Sequence, residues 1–218
     1  MLLVMLASFL IQQTLKGKFD RYSRVPSPDR LTGADVARMM LEDSRITDVK
    51  VQSVAGRLTD HYNPTDLTIN LSQGVYDGQS IAALAVAAHE TGHALQHAMG
   101  YAPLRMRSAL VPVVNFANSC VSWVLILGVL VVNTFPALLW AGIGLFAMTT
   151  LFSFITLPVE INASRRAVAW LTDRGVVDAE TRPMAVDALK WAAYTYVIAA
   201  IGSLATLLYY IGIASSRR

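Results

Sequence analysis

At 218 residues the chain is long enough for one folded domain plus a membrane part. It is 54% hydrophobic and only 15% charged, which is too apolar for an ordinary soluble domain. The net charge of +3 comes without a basic stripe interleaved with aromatics, so no nucleic-acid partner is expected. The single cysteine, Cys120, excludes an intramolecular disulfide and a Cys-rich zinc finger.

Residues 1–15 are apolar, but as a helix they would cover only about 22 Å. No positively charged stretch precedes them and no small-residue cleavage site ends them. They are therefore read as a short membrane anchor or first transmembrane helix rather than a signal peptide. A soluble α+β part is expected over residues 16–109. Thr32 to Leu41 reads as a short capped helix. Residues 49–54, 58–62 and 66–72 read as short strands, with Asn63-Pro64-Thr65-Asp66 as a turn. Leu67, Ile69 and Leu71 alternate with Thr68, Asn70 and Ser72, the pattern of a half-buried strand.

Ser80 to Met99 then reads as a helix, ended by Gly100, and it carries His89-Glu90-Thr91-Gly92-His93. Residues four apart share a helix face, so His89 and His93 can present two imidazoles to one metal ion. Glu90 is turned aside by one residue of rotation, beside the position where a bound water would sit. These are parts of a zinc hydrolase site. The composition would generate this motif by chance on the order of once in a thousand such chains. The flanking run Ile81 to Ala88 is strongly apolar, and buried His and Glu without a partner would be costly. His97 lies at i+4 from His93 but roughly 12 Å along the axis from His89. It cannot join both on one ion and is read as a structural residue.

Three segments, 110–133, 135–157 and 191–214, are each long and apolar enough to cross about 30 Å of hydrocarbon. Between the last two, residues 158–190 form a charged segment in which Glu160 follows Pro158. Glu160 is a candidate third ligand, with Ser164 at i+4 to support a ligand from behind. On spacing alone it is equally a helix-N-terminal charge favoured by the dipole. Lys16, Lys18, Arg21 and Arg24, then Arg105 and Arg107, then Arg165, Arg166, Arg174, Arg182 and Lys190 flank the spans. The 133–136 link carries no charge. This pattern puts residues 16–109 and 158–190 on the cytoplasmic side, with only Arg217 and Arg218 dissenting from four spans. Tyr194, Tyr196, Tyr209, Tyr210 and Trp191 read as an interfacial belt.

The run from His89 to His97, the upstream Asp60-His61-Tyr62-Asn63-Pro64 with Asn70-Leu71-Ser72, and Glu160-Ile161-Asn162-Ala163-Ser164 resemble the bacterial YugP-type neutral zinc metallopeptidases. The resemblance covers nearly the whole chain. More distantly the chain is similar to the Glu-zincin membrane proteases, the HtpX and prenyl-protein protease group. In that group the third ligand lies in a Glu-x-x-Ala-Asp pattern. The resemblance implies a zincin-like α+β catalytic part, with a small antiparallel sheet and a metal helix, joined to a transmembrane helical bundle. It implies Zn2+ held by His89, His93 and Glu160, and a location in the bacterial inner membrane. Ser164 stands where the wider group has Asp, so the residue that orients a ligand histidine is either Ser164 or Asn162.

The function expected is a membrane zinc endopeptidase cutting peptides or membrane proteins near the cytoplasmic surface, with Glu90 as general base. His61, Tyr62, Arg165 and Arg166 are candidates to stabilise the oxyanion. In peptidases of this build an edge strand lies over the metal, so residues 66–72 are expected to bind substrate through Asn70 and Ser72. Two alternatives stand beside this: an inactive zinc-binding membrane scaffold, and a site-2-type intramembrane protease. The former would call for a fourth protein ligand. The latter would call for an Asp-Gly ligand motif in a later span, which this chain lacks.

Overall fold

The computed structural model describes residues 2–216. Met1, Arg217 and Arg218 lie outside them, and with the two arginines the one charge signal against four spans. The order of elements is α1 (Leu2–Tyr22), α2 (Gly33–Asp43), β1 (Lys50–Val54), β2 (His61–Asn63), β3 (Thr68–Ser72), α3 (Gln73–Tyr76), α4 (Ile81–Ala98), α5 (Ala102–Leu130), α6 (Pro136–Asp173) and α7 (Arg182–Ser216). The molecule is mostly helical, with one small sheet.

Helix α2 starts where its sequence offers a reciprocal cap. Thr32 Oγ1 accepts from the Asp35 N–H at 3.1 Å, and the Thr32 N–H donates to Asp35 Oδ2 at 3.0 Å. Its apolar stripe, Val36, Ala37, Met40 and Leu41, is buried. Helix α4 is capped by Ser80, whose Oγ accepts from the Ala83 N–H at 3.3 Å, and most of its residues from Ile81 to Gln96 are buried. It is the central helix of the part of the molecule that carries the sheet.

The sheet differs from the expected antiparallel one. Its order is β1-β3-β2, with β1 parallel and β2 antiparallel to β3. β3 is therefore the middle strand, not an edge, and all five of its residues are buried. Ile69 and Leu71 pack with Ala37, Leu41, Ala87 and Ala94. The opposite face is polar and internally satisfied. Gln52 Nε2 donates to Asn70 Oδ1 at 2.6 Å, and the Ser72 N–H donates to Asp60 Oδ1 at 2.7 Å. The free edge on this side of the sheet belongs to β2. The Asn63 turn forms as expected, with the Thr65 N–H donating to Asn63 Oδ1 at 2.9 Å.

Helices α5, α6 and α7 are long and apolar enough to cross a membrane, and α1 is not among them. Each predicted span falls largely within a longer helix, although α5 ends at Leu130, three residues short of the expected end of the first span. α6 continues through Pro158 to Asp173, so Glu160 sits well within a helix rather than at a helix start. A proline in a long apolar helix is tolerated where packed neighbours replace the lost backbone bond. The far end of α6 and the near end of α7 join the core built around α2 and α4. Ala167, Leu171, Ala185 and Leu189 pack with Val36, Met40, Leu84 and Leu95. Residues 158–190 thus share a core with α2 and α4. Helix α1 runs past residue 15 to Tyr22 and is fastened to α7. Asp187 receives Lys18 Nζ at 2.6 Å and the Tyr22 hydroxyl at 2.6 Å.

Candidate metal centre

The site forms where α4 crosses α6. At the crossing stands Gly92, inside the His-Glu-x-x-His motif. A Cβ there would lie 2.7 Å from the Ala163 carbonyl oxygen of α6. Glycine facing alanine lets the two backbones touch, and this brings Glu160, one turn before Ala163, under both histidines.

Glu160 Oε2 is 3.3 Å from His89 Nε2 and 3.6 Å from His93 Nε2. One potential ligand atom from each residue lies within 4.8 Å of the others. Two ligand atoms about 2.0–2.1 Å from a tetrahedral ion sit about 3.3 Å apart, so the spacing suits zinc. The Glu160 side chain is 4% exposed, and among the described residues its Oε2 is the one buried side-chain oxygen or nitrogen without a hydrogen bond. A buried carboxylate oxygen left open toward two imidazoles is a cation site. Burial would lower the His93 pKa, but the Glu160 and Glu90 carboxylates outweigh it and raise it above its ordinary value. The site attracts positive charge even without an ion. Its donors, imidazole nitrogen and carboxylate oxygen, are those zinc accepts, and His89, His93 and Glu160 would hold it.

The other ring nitrogens are tied down. His89 Nδ1 is 3.0 Å from Ser164 Oγ, so Ser164 stands behind His89. His93 Nδ1 is 3.0 Å from Gln96 Oε1. Gln96, fully buried, donates through Nε2 to the Val159 carbonyl at 2.8 Å and to Asn162 Oδ1 at 3.0 Å. Asn162 Oδ1 also accepts from Arg166 Nε at 2.8 Å. Asn162 therefore acts on His93 through Gln96.

A cleft of about 390 Å³ opens over the cluster, lined by His89, Glu90, His93 and Glu160, by β2, and by α5 and α7. Glu90 Oε2 accepts from the Tyr62 N–H of β2 at 3.0 Å. The Tyr62 hydroxyl is 2.7 Å from His97 Nδ1. Burial first, and Asp48 second, push that phenol up to about 12, so it faces the site uncharged. His61 lines the cleft, with its Nδ1 2.7 Å from the Thr59 carbonyl. His97 is exposed and outside the ligand cluster. Arg165 is exposed and does not line the cleft. Asn70 and Ser72 are not among the cleft residues either. They lie on the sheet face opposite Ile69 and Leu71, which is the face turned to α4.

Sequence reasoning passed over three cleft or support residues. Arg107 of α5 places Nη1 3.5 Å from Glu160 Oε1, and Tyr196 of α7 lines the cleft. Arg107 had read only as a juxtamembrane charge and Tyr196 only as belt. Gln96 did carry a signal, since i+3 from His93 is helix-face spacing.

Three donors leave a tetrahedral ion one open position, and this separates hydrolytic from closed structural zinc sites. With the Glu90 carboxylate in the same cleft, the donor set is of the kind found in zinc metallohydrolases. Known proteins narrow the class. Residues 1–215 match the family described as "Putative neutral zinc metallopeptidase". The chain is 43% identical over 204 residues to "Putative membrane protease YugP" of Bacillus subtilis (strain 168), which covers 94% of this chain and 90% of that protein. The chain belongs to this family of neutral zinc metallopeptidases, enzymes whose cofactor is zinc. No solved structure matches the chain.

Proposed function

We propose that the chain is a membrane-embedded zinc endopeptidase that cuts peptide bonds at the cytoplasmic face of the bacterial inner membrane. The observation that carries this reading is the buried Glu160 oxygen facing both His Nε2 atoms, with Glu90 in the same cleft. Zinc, when bound, supplies a Lewis acid that polarises the scissile carbonyl and acidifies water. Glu90 takes the proton from the attacking water as the C–O bond forms, then delivers it to the amine nitrogen as the C–N bond breaks. The Tyr62 N–H holds one Glu90 oxygen, which leaves the other to the proton. Arg107 and Tyr196 flank the reaction as donors for the charge that develops on the carbonyl oxygen.

Substrate backbone passes along the outer edge of β2 above α4, in a zincin-like arrangement, with the Tyr62 N–H of that edge already held by Glu90. Arg107, Glu160 and Tyr196 come from three helices apolar enough to cross a membrane, so juxtamembrane segments of membrane proteins and unfolded chains at the surface are the substrates within reach. The three-donor cluster and the retained Glu90 weigh against an inactive scaffold. The shared core of residues 158–190 with α2 and α4 weighs against a site-2-type active site deep in the bilayer.

The test is a zinc assay paired with cleavage of casein or a membrane-protein substrate by purified wild type and Glu90→Gln. The variant should keep about one zinc per chain and lose hydrolysis by at least 10²–10⁴-fold. Undiminished cleavage by Glu90→Gln would sink the mechanism.

A further inference from the structure

Beside the cleft lies a second and larger hollow, about 670 Å³, between the β2–β3 turn and the first turns of α5. Its walls include Pro64, Thr65, His97, Leu104, Arg105 and Ser108. Four of these, Pro64, Thr65, Leu104 and Ser108, also line the cleft over the metal cluster. Leu104 and Ser108 are four apart on α5 and form one wall common to both hollows. The two hollows therefore adjoin, with the metal cluster in one of them.

We propose that this groove is a substrate subsite, taking a stretch of extended peptide on one side of the scissile bond that carries an apolar residue and an acidic one. The proposal rests on the peptidase reading and adds the substrate class. Its volume falls in the roughly 300–1,000 Å³ range of ligand-sized hollows. Main-chain pairing cannot continue from β2 into it, because Pro64, the next residue, has no N–H. Beyond Asn63 recognition must pass to side chains, and selectivity is concentrated there. Leu104, 8% exposed, offers an apolar wall. Arg105 is the fixed charge of the lining, and no carboxylate stands among the lining residues. The acidic groups Asp60, Glu90 and Glu160 stand at the cleft end, where Arg107 is already paired with Glu160, so the charge preference of the groove rests on Arg105. Within the groove itself a basic substrate side chain meets the like charge of Arg105, and an acidic one finds a partner.

The experiment is cleavage of a peptide library by the full-length protein in detergent, read by mass spectrometry. It compares wild type with Arg105→Glu and with Ala109→Trp, which fills the groove from another lining position. Wild type should favour an acidic residue at one position beyond the scissile bond. Arg105→Glu should turn this into a basic preference, shifting the acidic-to-basic ratio of kcat/KM by about fivefold or more, the scale of one exposed ion pair. Ala109→Trp should lower kcat/KM for long peptides and spare short ones that end before the groove. Zinc content should match wild type in both. An unmoved charge preference in Arg105→Glu, or equal loss on short and long peptides in Ala109→Trp, overturns the subsite while leaving the peptidase reading intact. No cleavage at all by zinc-loaded wild type overturns the peptidase reading and the subsite with it.

Discussion

Gln96 decides which nitrogen of His93 faces Glu160. Its Nε2 donates to the Val159 carbonyl, which can only accept, so its Oε1 must point at His93 Nδ1, 3.0 Å away. Nδ1 then carries the proton and Nε2 presents its lone pair to the cluster. Gln96→Leu should remove the acceptor from His93 Nδ1 and the tie from α4 to the Val159 carbonyl of α6. Zinc affinity, measured by chelator competition, should fall about 10–100-fold. Affinity equal to wild type would mean that something else sets the ring.

Gly92 makes a second support, one of backbone contact. Gly92→Ala places a methyl group 2.7 Å from the Ala163 carbonyl oxygen, where neither helix can yield without moving Glu160. Overpacking of this kind costs about 1–3 kcal/mol. The expected outcome is a lower unfolding midpoint in detergent together with weaker zinc binding. Gly74→Ala is the control, because nothing lies within 4 Å of a Cβ there. Retained zinc affinity in Gly92→Ala would show that the crossing does not set the ligand spacing.

Ligands and bystanders should separate cleanly. His93→Ala and Glu160→Ala each remove a donor from the three-residue cluster, and both should lose zinc at affinities where Gln96→Leu still binds some. His97→Ala removes an exposed ring that touches the Tyr62 hydroxyl, and its zinc content should stay at the wild-type level. Equal metal loss in His97→Ala and His93→Ala would place the ion elsewhere on α4.

What the sequence made legible was local. Helix α4 announced its start by Ser80, its end by Gly100, and its paired histidines by their spacing. The strands near residues 50, 61 and 68 were marked by alternation and by the Asn63 turn. Their order was not, because β1 pairs with β3 across the intervening β2, a non-local choice no short window contains. The alternation of Thr68, Asn70 and Ser72 looked half-exposed. The polar face is buried because Gln52 and Asp60 reach over from elsewhere to satisfy it. Pro158 looked like a helix end, and the packing of α6 overrode it. Arg107 and Tyr196 were invisible as cleft residues, since each lies on a helix whose own pattern speaks only of lipid.

The side of the membrane is open to direct measurement. The basic residues that flank the spans cluster on residues 16–109 and 158–190, while the link between α5 and α6 carries none. Ser53, exposed on β1, should therefore lie inside the cell and Thr134, exposed in the link, outside. Cys120 is the chain's only cysteine, so a Cys120→Ala background gives a clean start. In intact cells Ser53→Cys should resist a membrane-impermeant thiol reagent and react only after permeabilisation, while Thr134→Cys should react at once. Ready labelling at position 53 with protection at 134 would invert the orientation. The cleft would then act on extracytoplasmic segments, since Glu160 and β2 travel with the same half of the molecule.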